Sequence, residues 1–236
     1  MNASITVDME HDCPPFLHSY RGVVEGTPRL LDLFRACGVR ATFFTTGDVA
    51  RRHPRVVERI LEGGHELGCH GDTHARFSTL DRDGAARELA SAAATLRGFA
   101  PVTSFRAPNL DFPRDYLPLL REHGFRVDSS EGRHKPGSFF VSPSEEAGVL
   151  RVPASTAPSV MRLPKLVRHR VWARLRDPAV FFVHPWEFVD MTRAPIPRDC
   201  RFRTGDPALH CLQETIAYFQ HRGAQFRTIG EFAAAA

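Results

Sequence analysis

The regular alternation of short apolar runs with helical patterns constrains this chain more than any other feature. Residues 4–7, 41–45, 65–69, 102–105, 125–127, 149–152, 179–183 and 225–228 read as strands, rich in β-branched and aromatic side chains. Between them, residues 28–36, 54–62, 81–97, 113–123, 164–176 and 207–222 read as helices. The punctuation agrees: Pro28 and Pro54 open helices, Asp81 is the expected N-cap of its helix, and Gly38, Gly63 and Gly124 follow helix ends. Strands that alternate with helices imply a parallel sheet with helical crossovers. Seven or eight strands fit a distorted or incomplete (β/α) barrel better than an open doubly wound sheet, and no G-x-G-x-x-G follows the first strand. A chain of 236 residues, 42% hydrophobic, can bury one sizeable core, so one domain over residues 1–236 is expected. No internal repeat is found, and low complexity is confined to the alanines at 233–236.

Composition excludes several function classes. No stretch approaches the roughly 20 apolar residues of a membrane span, and the first eight residues lack the basic and apolar regions of a signal peptide, so a cytoplasmic location is expected. The five cysteines, Cys13, Cys37, Cys69, Cys200 and Cys211, are scattered without a C-x-x-C, which argues against a disulfide scaffold or zinc ribbon. A net charge of +4 is mild for a nucleic-acid binder, and no nucleic-acid partner is expected.

Chemistry-bearing residues recur at one place, the C-terminal ends of strands. Asp8, His70, Arg106, Asp128 and His184 each follow an expected strand, and in a parallel barrel those ends share the face where catalysis sits. His70 and His74 are four apart and can reach one ion if the backbone turns helically after its strand. The acidic run Asp8-Met9-Glu10-His11-Asp12 offers a third ligand. A His–His–carboxylate set with open positions suits a catalytic zinc, although a non-haem iron uses the same ligands. The H-E-x-x-H motif is absent, because Cys69 stands where its second histidine would be. His65, His53, His123, His210 and His221 read as structural or surface residues.

Five ordered motifs now resemble the polysaccharide deacetylase, or NodB-homology, family (carbohydrate esterase family 4). They are Thr6-Val7-Asp8-Met9-Glu10, His70-Gly71-Asp72-Thr73-His74, Phe105-Arg106-Ala107-Pro108, Val127-Asp128-Ser129-Ser130 and Phe182-Val183-His184-Pro185-Trp186-Glu187. The resemblance runs from Ile5 to about Phe232. It implies a distorted (β/α) barrel that hydrolyses N- or O-acyl groups on sugars, usually with zinc. Two departures stand out. Met9 separates two acids that are adjacent in the family's usual first motif, and Gly71 replaces a common Ser or Thr. The D-x-E form, with Arg21-Gly22 and the run from Gly26 to Leu31 after it, is similar to a branch of peptidoglycan deacetylase-like and allantoinase-like proteins. That branch implies Glu10 as metal ligand beside His70 and His74, and Asp8 as base, with Asp12 a substitute ligand.

The mechanism so implied has zinc, or another divalent metal such as cobalt or iron, activating a water while Asp8 removes its proton. Arg106 is expected to orient Asp8, and His184 to protonate the leaving amine with Asp128 holding its imidazole. Trp186, Glu187 and Arg21 are the expected substrate-binding residues. The expected substrate is an N-acetylated sugar, in free, nucleotide-linked or lipid-linked form. Two alternatives stand beside it: a cyclic-amide hydrolase of the allantoinase type, and a catalytically silent carbohydrate-binding relic. Residues 162–176 hold six Lys or Arg and no acid, with Val167, Val171 and Leu175 at four-residue spacing. They read as a solvated basic helix face, or as a surface for a phosphorylated substrate or an anionic membrane, with Trp172 at the interface. Oligomeric state, polymer against small-molecule substrate, and the choice between Glu10 and Asp12 stay open at this level.

Overall fold

The computed structural model describes residues 1–135 and 141–234; the last two alanines of the low-complexity tail lie outside it. The strands are β1 (Asn2–Met9), β2 (Thr42–Thr45), β3 (Glu66–Cys69), β4 (Ser104–Phe105), β5 (Val127–Asp128), β6 (Ser144–Glu146), β7 (Val149–Arg151), β8 (Ala179–Val183) and β9 (Gln225–Phe226). The helices are α1 (Thr27–Cys37), α2 (Gly47–Arg52), α3 (Pro54–Glu62), α4 (Arg82–Arg97), α5 (Leu117–Glu122), α6 (Pro158–Met161), α7 (Lys165–Trp172), α8 (Arg198–Arg201), α9 (Asp206–His221) and α10 (Gly230–Ala233). All eight expected strands form, with altered ends, and β6 is added as an antiparallel partner of β7.

The sheet runs β6-β7-β5-β4-β3-β2-β1-β8, with every pairing except β6–β7 parallel, and β9 also pairs with β1. Ala3 of β1 faces Ala179 of β8 and Phe226 of β9, while further along Thr6 faces Phe182 and Thr42. A strand has only two edges, so β9 and β2 share one edge of β1 and β8 takes the other. Among the described residues no ladder joins β7 to β8. Ser155 N–H donates instead to the Val180 carbonyl (2.7 Å), and Val180 N–H donates back to the Ser155 hydroxyl (2.9 Å). The result is the expected incomplete (β/α) barrel.

Period-two alternation sorts β1 into two faces. Ala3, Ile5, Val7 and Met9 point outward into a core shared with α1 and α9, including Leu30, Phe34, Leu212 and Ile216. Ser4, Thr6 and Asp8 therefore point into the barrel, and all three are buried. A second outer core packs α4 and α5 on β3 and β4 through Leu89, Leu96, Leu120, Cys69 and Phe105. Local signals start the helices: Thr46 Oγ1 accepts from Val49 N–H at α2, and Asp81 Oδ1 from Gly84 N–H at α4.

The basic segment folds differently from its expectation. The helix ends at Trp172, and its buried stripe is the i,i+4 pair Arg168 and Trp172, which are 1% and 2% exposed. Arg168 is held by Glu214 and the Met161 carbonyl, while Trp172 packs edge-on to Phe181. Val167 is exposed rather than packed, and Val171 and Leu175 only flank the core. Trp172 is thus turned away from any membrane surface, and Arg168 from any solvent-borne phosphate. An aromatic ring and a long aliphatic stem cover the barrel better than valines do, and the guanidinium stays inside because an acid of α9 meets it.

Candidate active site

Strand register brings the site together. Met9 pairs with Thr45, Thr45 with Cys69, Cys69 with Phe105, Phe105 with Asp128, and Asp128 with Arg151. The residues one step beyond this row, Glu10, His70, Arg106 and Ser129, consequently rise together at the rim. On the other edge Val7 pairs with Val183, which sets His184 level with Asp8. Asp8 lies within β1 rather than after it, one layer below the rim.

Glu10, His70 and His74 present one ligand atom each, all within 4.8 Å of one another. Glu10 Oε2 is 2.5 Å from His74 Nε2 and 3.3 Å from His70 Nε2. His70 Nδ1 lies 2.8 Å from the Arg106 carbonyl, which can only accept, so Nδ1 carries the proton and Nε2 offers a lone pair. A lone pair and a carboxylate oxygen 3.3 Å apart are placed to share a cation. The three residues therefore fit a divalent metal by donor type and by tautomer. Burial alone would raise the Glu10 carboxyl, but the charges of His74 and His184, with a hydrogen bond from His74, hold it well below the ordinary carboxylate value. His74 reaches the cluster in the left-handed region (φ 66), a strain that its side-chain contact to Glu10 accompanies. The turn between the two histidines is thus not the helical one expected from their spacing.

Asp12 is not part of this cluster. Its carboxylate accepts from Ser19 Oγ (2.6 Å), Arg21 N–H (2.9 Å) and Gly22 N–H (2.8 Å), and so is fully used in holding the loop after β1. Arg21 points outward to Glu25 and does not line the cavity, contrary to its expected substrate contact. The motif around it is structural: a Cβ on Gly22 would stand 2.3 Å from the Trp186 nitrogen, so only glycine lets this turn sit on the His184–Glu187 segment.

Arg106 is fully buried and reaches Asp8 Oδ1 (2.8 Å) and Thr6 Oγ1 (2.5 Å) through one nitrogen, and the Ser129 hydroxyl (2.7 Å) and carbonyl (3.1 Å) through the others. Its guanidinium lies 4.5 Å from the centre of the Phe44 ring. That ring enters the barrel because position 68 is glycine; a Cβ there would be 2.6 Å from Phe44 Cδ1.

Asp128 does not hold His184. In a parallel sheet, residues of one row point the same way, and the row of Asp128 contains the outward-facing Cys69 and Phe105. Asp128 accordingly turns out of the barrel to Arg151 Nε (3.1 Å), with the Ser130 N–H (3.1 Å) and hydroxyl also donating to it. Burial, only partly offset by Arg151 and Ser130, raises its carboxyl. The residue that faces inward from this motif is Ser129.

Glu187 takes the place expected of Asp128. Its Oε1 lies 2.9 Å from both His184 Nδ1 and the His184 backbone N–H, and its other oxygen meets Arg162 at 3.2 Å. Glu187 is buried beneath the site and does not line the cavity, which corrects its expected substrate contact. Burial pushes the His184 imidazole down, but Glu10, Glu187 and Asp8 outweigh it and raise the group to about 9. Trp186 does line the cavity, stacked on His184 with ring centres 5.2 Å apart. Its buried indole N–H has no hydrogen-bond partner among the described residues.

Asp8, Glu10, His70, His74, His184 and Trp186 open on one cavity of about 680 Å³. Sequence reading missed Thr6, Ser129 and Arg162. Period-two counting from Asp8 points to Thr6, and the same counting across strands from Arg106 points to Ser129. Arg162 had no local signal, because it approaches from another part of the chain.

A family model described as polysaccharide deacetylase matches residues 5–127, just over half of the chain. A peptidoglycan deacetylase of Helicobacter pylori is 32% identical over 108 residues, covering 44% of this chain and 36% of that protein. A peptidoglycan-N-acetylglucosamine deacetylase of Bacillus cereus is 29% identical over 107 residues, covering 44% of this chain and 38% of that protein. The match thus spans well under half the length of these curated relatives. Among solved structures, a Mycobacterium smegmatis protein assigned to the polysaccharide deacetylases superposes over 99% of this chain and 89% of its own, with a TM-score of 0.75 at 20% identity. A pseudoenzyme of the same carbohydrate esterase family from Bacillus anthracis superposes over 98% of this chain and 65% of its own, with a TM-score of 0.67 at 16% identity. Family model, fold and the ordered motifs along β1, β3 and β4 agree, and the chain belongs to the polysaccharide deacetylase family.

Proposed function

We propose that this chain is a metal-dependent hydrolase that removes an N-acetyl group from an amino sugar of a glycan or glycan precursor, residues 1–236 acting as one catalytic unit. The carrying observation is the donor set Glu10, His70 and His74, flanked in one cavity by two separately supported titratable groups, Asp8 with Arg106 and His184 with Glu187. A binding relic needs no such pair. The names of the relatives, peptidoglycan and chitin deacetylases, supply the substrate class.

Glu10, His70 and His74 would hold the metal, which when bound supplies Lewis acidity and an acidified water. Zinc suits the donor types; cobalt and iron accept the same set. Asp8 accepts the proton of the attacking water, and Arg106 fixes the carboxylate through Oδ1, which keeps it aimed. His184 holds its proton at Nε2 while Glu187 receives Nδ1–H, so it can protonate the departing amine, a poor leaving group when neutral. Trp186 offers a flat apolar wall to a sugar face.

The test is acetate release. The metal-loaded protein is expected to release acetate from N-acetylglucosamine oligomers or peptidoglycan fragments, to lose that activity with a chelator, and to leave allantoin intact. Hydrolysis of allantoin with no acetate release would select the cyclic-amide alternative. Sugar binding without hydrolysis of either would select the silent one.

A further inference from the structure

Cys13 and Cys200 are distant in sequence and adjacent in space. Cys13 lies in the loop after β1, three residues beyond Glu10, and Cys200 lies in α8. Both thiols are free, and both line the cavity that holds Asp8, Glu10 and His184. They share a small apolar cluster with Trp186, Val189, Met191 and Ile196. Cys200 packs directly against the cluster that contains Cys13. No step assigned above to the site uses either of them.

The surroundings make the two sulfurs unequal. The hydrogen bond to Cys200, and then burial, push the Cys13 thiol up. The same contact pulls the Cys200 thiol down against burial and the Asp199 charge, with smaller lowering from His184 and Arg162. A thiol lowered beside a thiol raised is the ordering of an attacking and a resolving cysteine. The backbone holds them in place: Arg162 Nη1 donates to the Cys200 carbonyl at 2.7 Å, and Cys13 sits in the left-handed region at φ 44.

We propose that Cys13 and Cys200 form a reversible disulfide in the wall of the active-site cavity, made by exchange with a small disulfide of the oxidised-glutathione class. The Cys200 thiolate attacks the reagent disulfide and releases one reagent thiolate, leaving a mixed disulfide on Cys200. Cys13 loses its proton and attacks the Cys200 sulfur, which releases the second reagent thiolate. The protein gives up two electrons and two protons, and one reagent disulfide becomes two thiols. The bond ties the loop beyond Glu10 to α8 across the cavity wall.

The test reads the covalent bond in the full chain and needs no turnover, so its outcome is separate from that of the proposed deacetylation. The protein is equilibrated in buffers of increasing ratio of oxidised to reduced glutathione, quenched in acid, blocked with N-ethylmaleimide, digested without reduction and mapped by mass spectrometry. The expected result is a Cys13–Cys200 linked peptide that accumulates with the ratio and disappears with dithiothreitol, while Cys37, Cys69 and Cys211 stay reduced. Cys13→Ser is expected to halt at a mixed disulfide on Cys200, and Cys200→Ser to leave Cys13 unmodified. The proposal is overturned if both thiols of the wild-type chain remain blockable in the most oxidising buffer, or if Cys200 carries only glutathione or links to another cysteine.

Discussion

One carboxylate oxygen of Glu187 receives both the Nδ1–H and the backbone N–H of His184, each at 2.9 Å, three residues along the same turn. The imidazole is thereby held in one orientation with Nε2 toward Glu10 and the cavity. Supporting contacts of this kind are worth about 10–100-fold. Glu187→Gln should lower kcat on an N-acetyl amide by that factor and leave metal content unchanged. An activated aryl ester, whose leaving group needs no proton, should lose much less. Equal losses on the two substrates would assign Glu187 to folding alone.

The candidate metal site allows a comparison between two acids of the run after β1. His70→Ala, His74→Ala and Glu10→Ala should each purify with substoichiometric metal by elemental analysis. Asp12→Ala should retain metal, because its carboxylate faces the loop amides of Arg21 and Gly22. Its penalty should appear in thermal melting instead.

Asp8→Asn keeps shape and ligands but removes the proton acceptor. Turnover should fall by about 10²–10⁴-fold with metal retained. A fall below about tenfold would demote Asp8 to a structural partner of Arg106.

Asp128 and Arg168 should report on stability rather than catalysis. Asp128→Asn leaves Arg151 with less compensation in a buried row, and Arg168→Ala leaves Glu214 without its closest partner. Breaking a buried pair costs about 3–5 kcal/mol, less where, as at Glu214, one partner is partly exposed. Both variants should melt lower while the surviving folded fraction keeps its kcat/KM. The neighbouring Arg170→Glu, on the outer side of α7, should change the melting temperature little.

His65 sets a pH dependence of stability. Burial first, then Arg40, lowers its imidazole from 6.5 to about 4, and its Nδ1 accepts the Ala41 N–H at 3.1 Å, which requires the neutral ring. The folded chain therefore binds fewer protons than the unfolded chain between those values. The contribution is fully present above pH 6.5 and is lost as pH falls toward 4. His65→Gln, which can still accept from Ala41, should show a flatter decline in melting temperature over that window. An unchanged slope would place the acid sensitivity elsewhere.

The sequence by itself determined the order of the elements and the end of the barrel where chemistry collects. Apolar periods of 2 and 3.6, with proline, glycine and aspartate at the junctions, are local physics, so strands and helices appeared close to their expected places. It also marked His70, His74 and the acidic run, because side chains at parallel strand ends must share a face. Only the tertiary structure decided which neighbours meet. Asp128 and Ser129 are adjacent in sequence, yet the register that pairs Phe105 with Asp128 sends the aspartate out to Arg151 and the serine in to Arg106. Asp12 and Glu10 are both acids of one run, but Asp12 is taken by the amides of Arg21 and Gly22 while Glu10 meets the histidines. The basic helix turned Arg168 inward because Glu214, on another helix, was there to meet it. A side chain's partner is a long-range property: register, fixed by pairings far along the chain, selects the face, and burial then selects the partner that leaves fewest charges unmet.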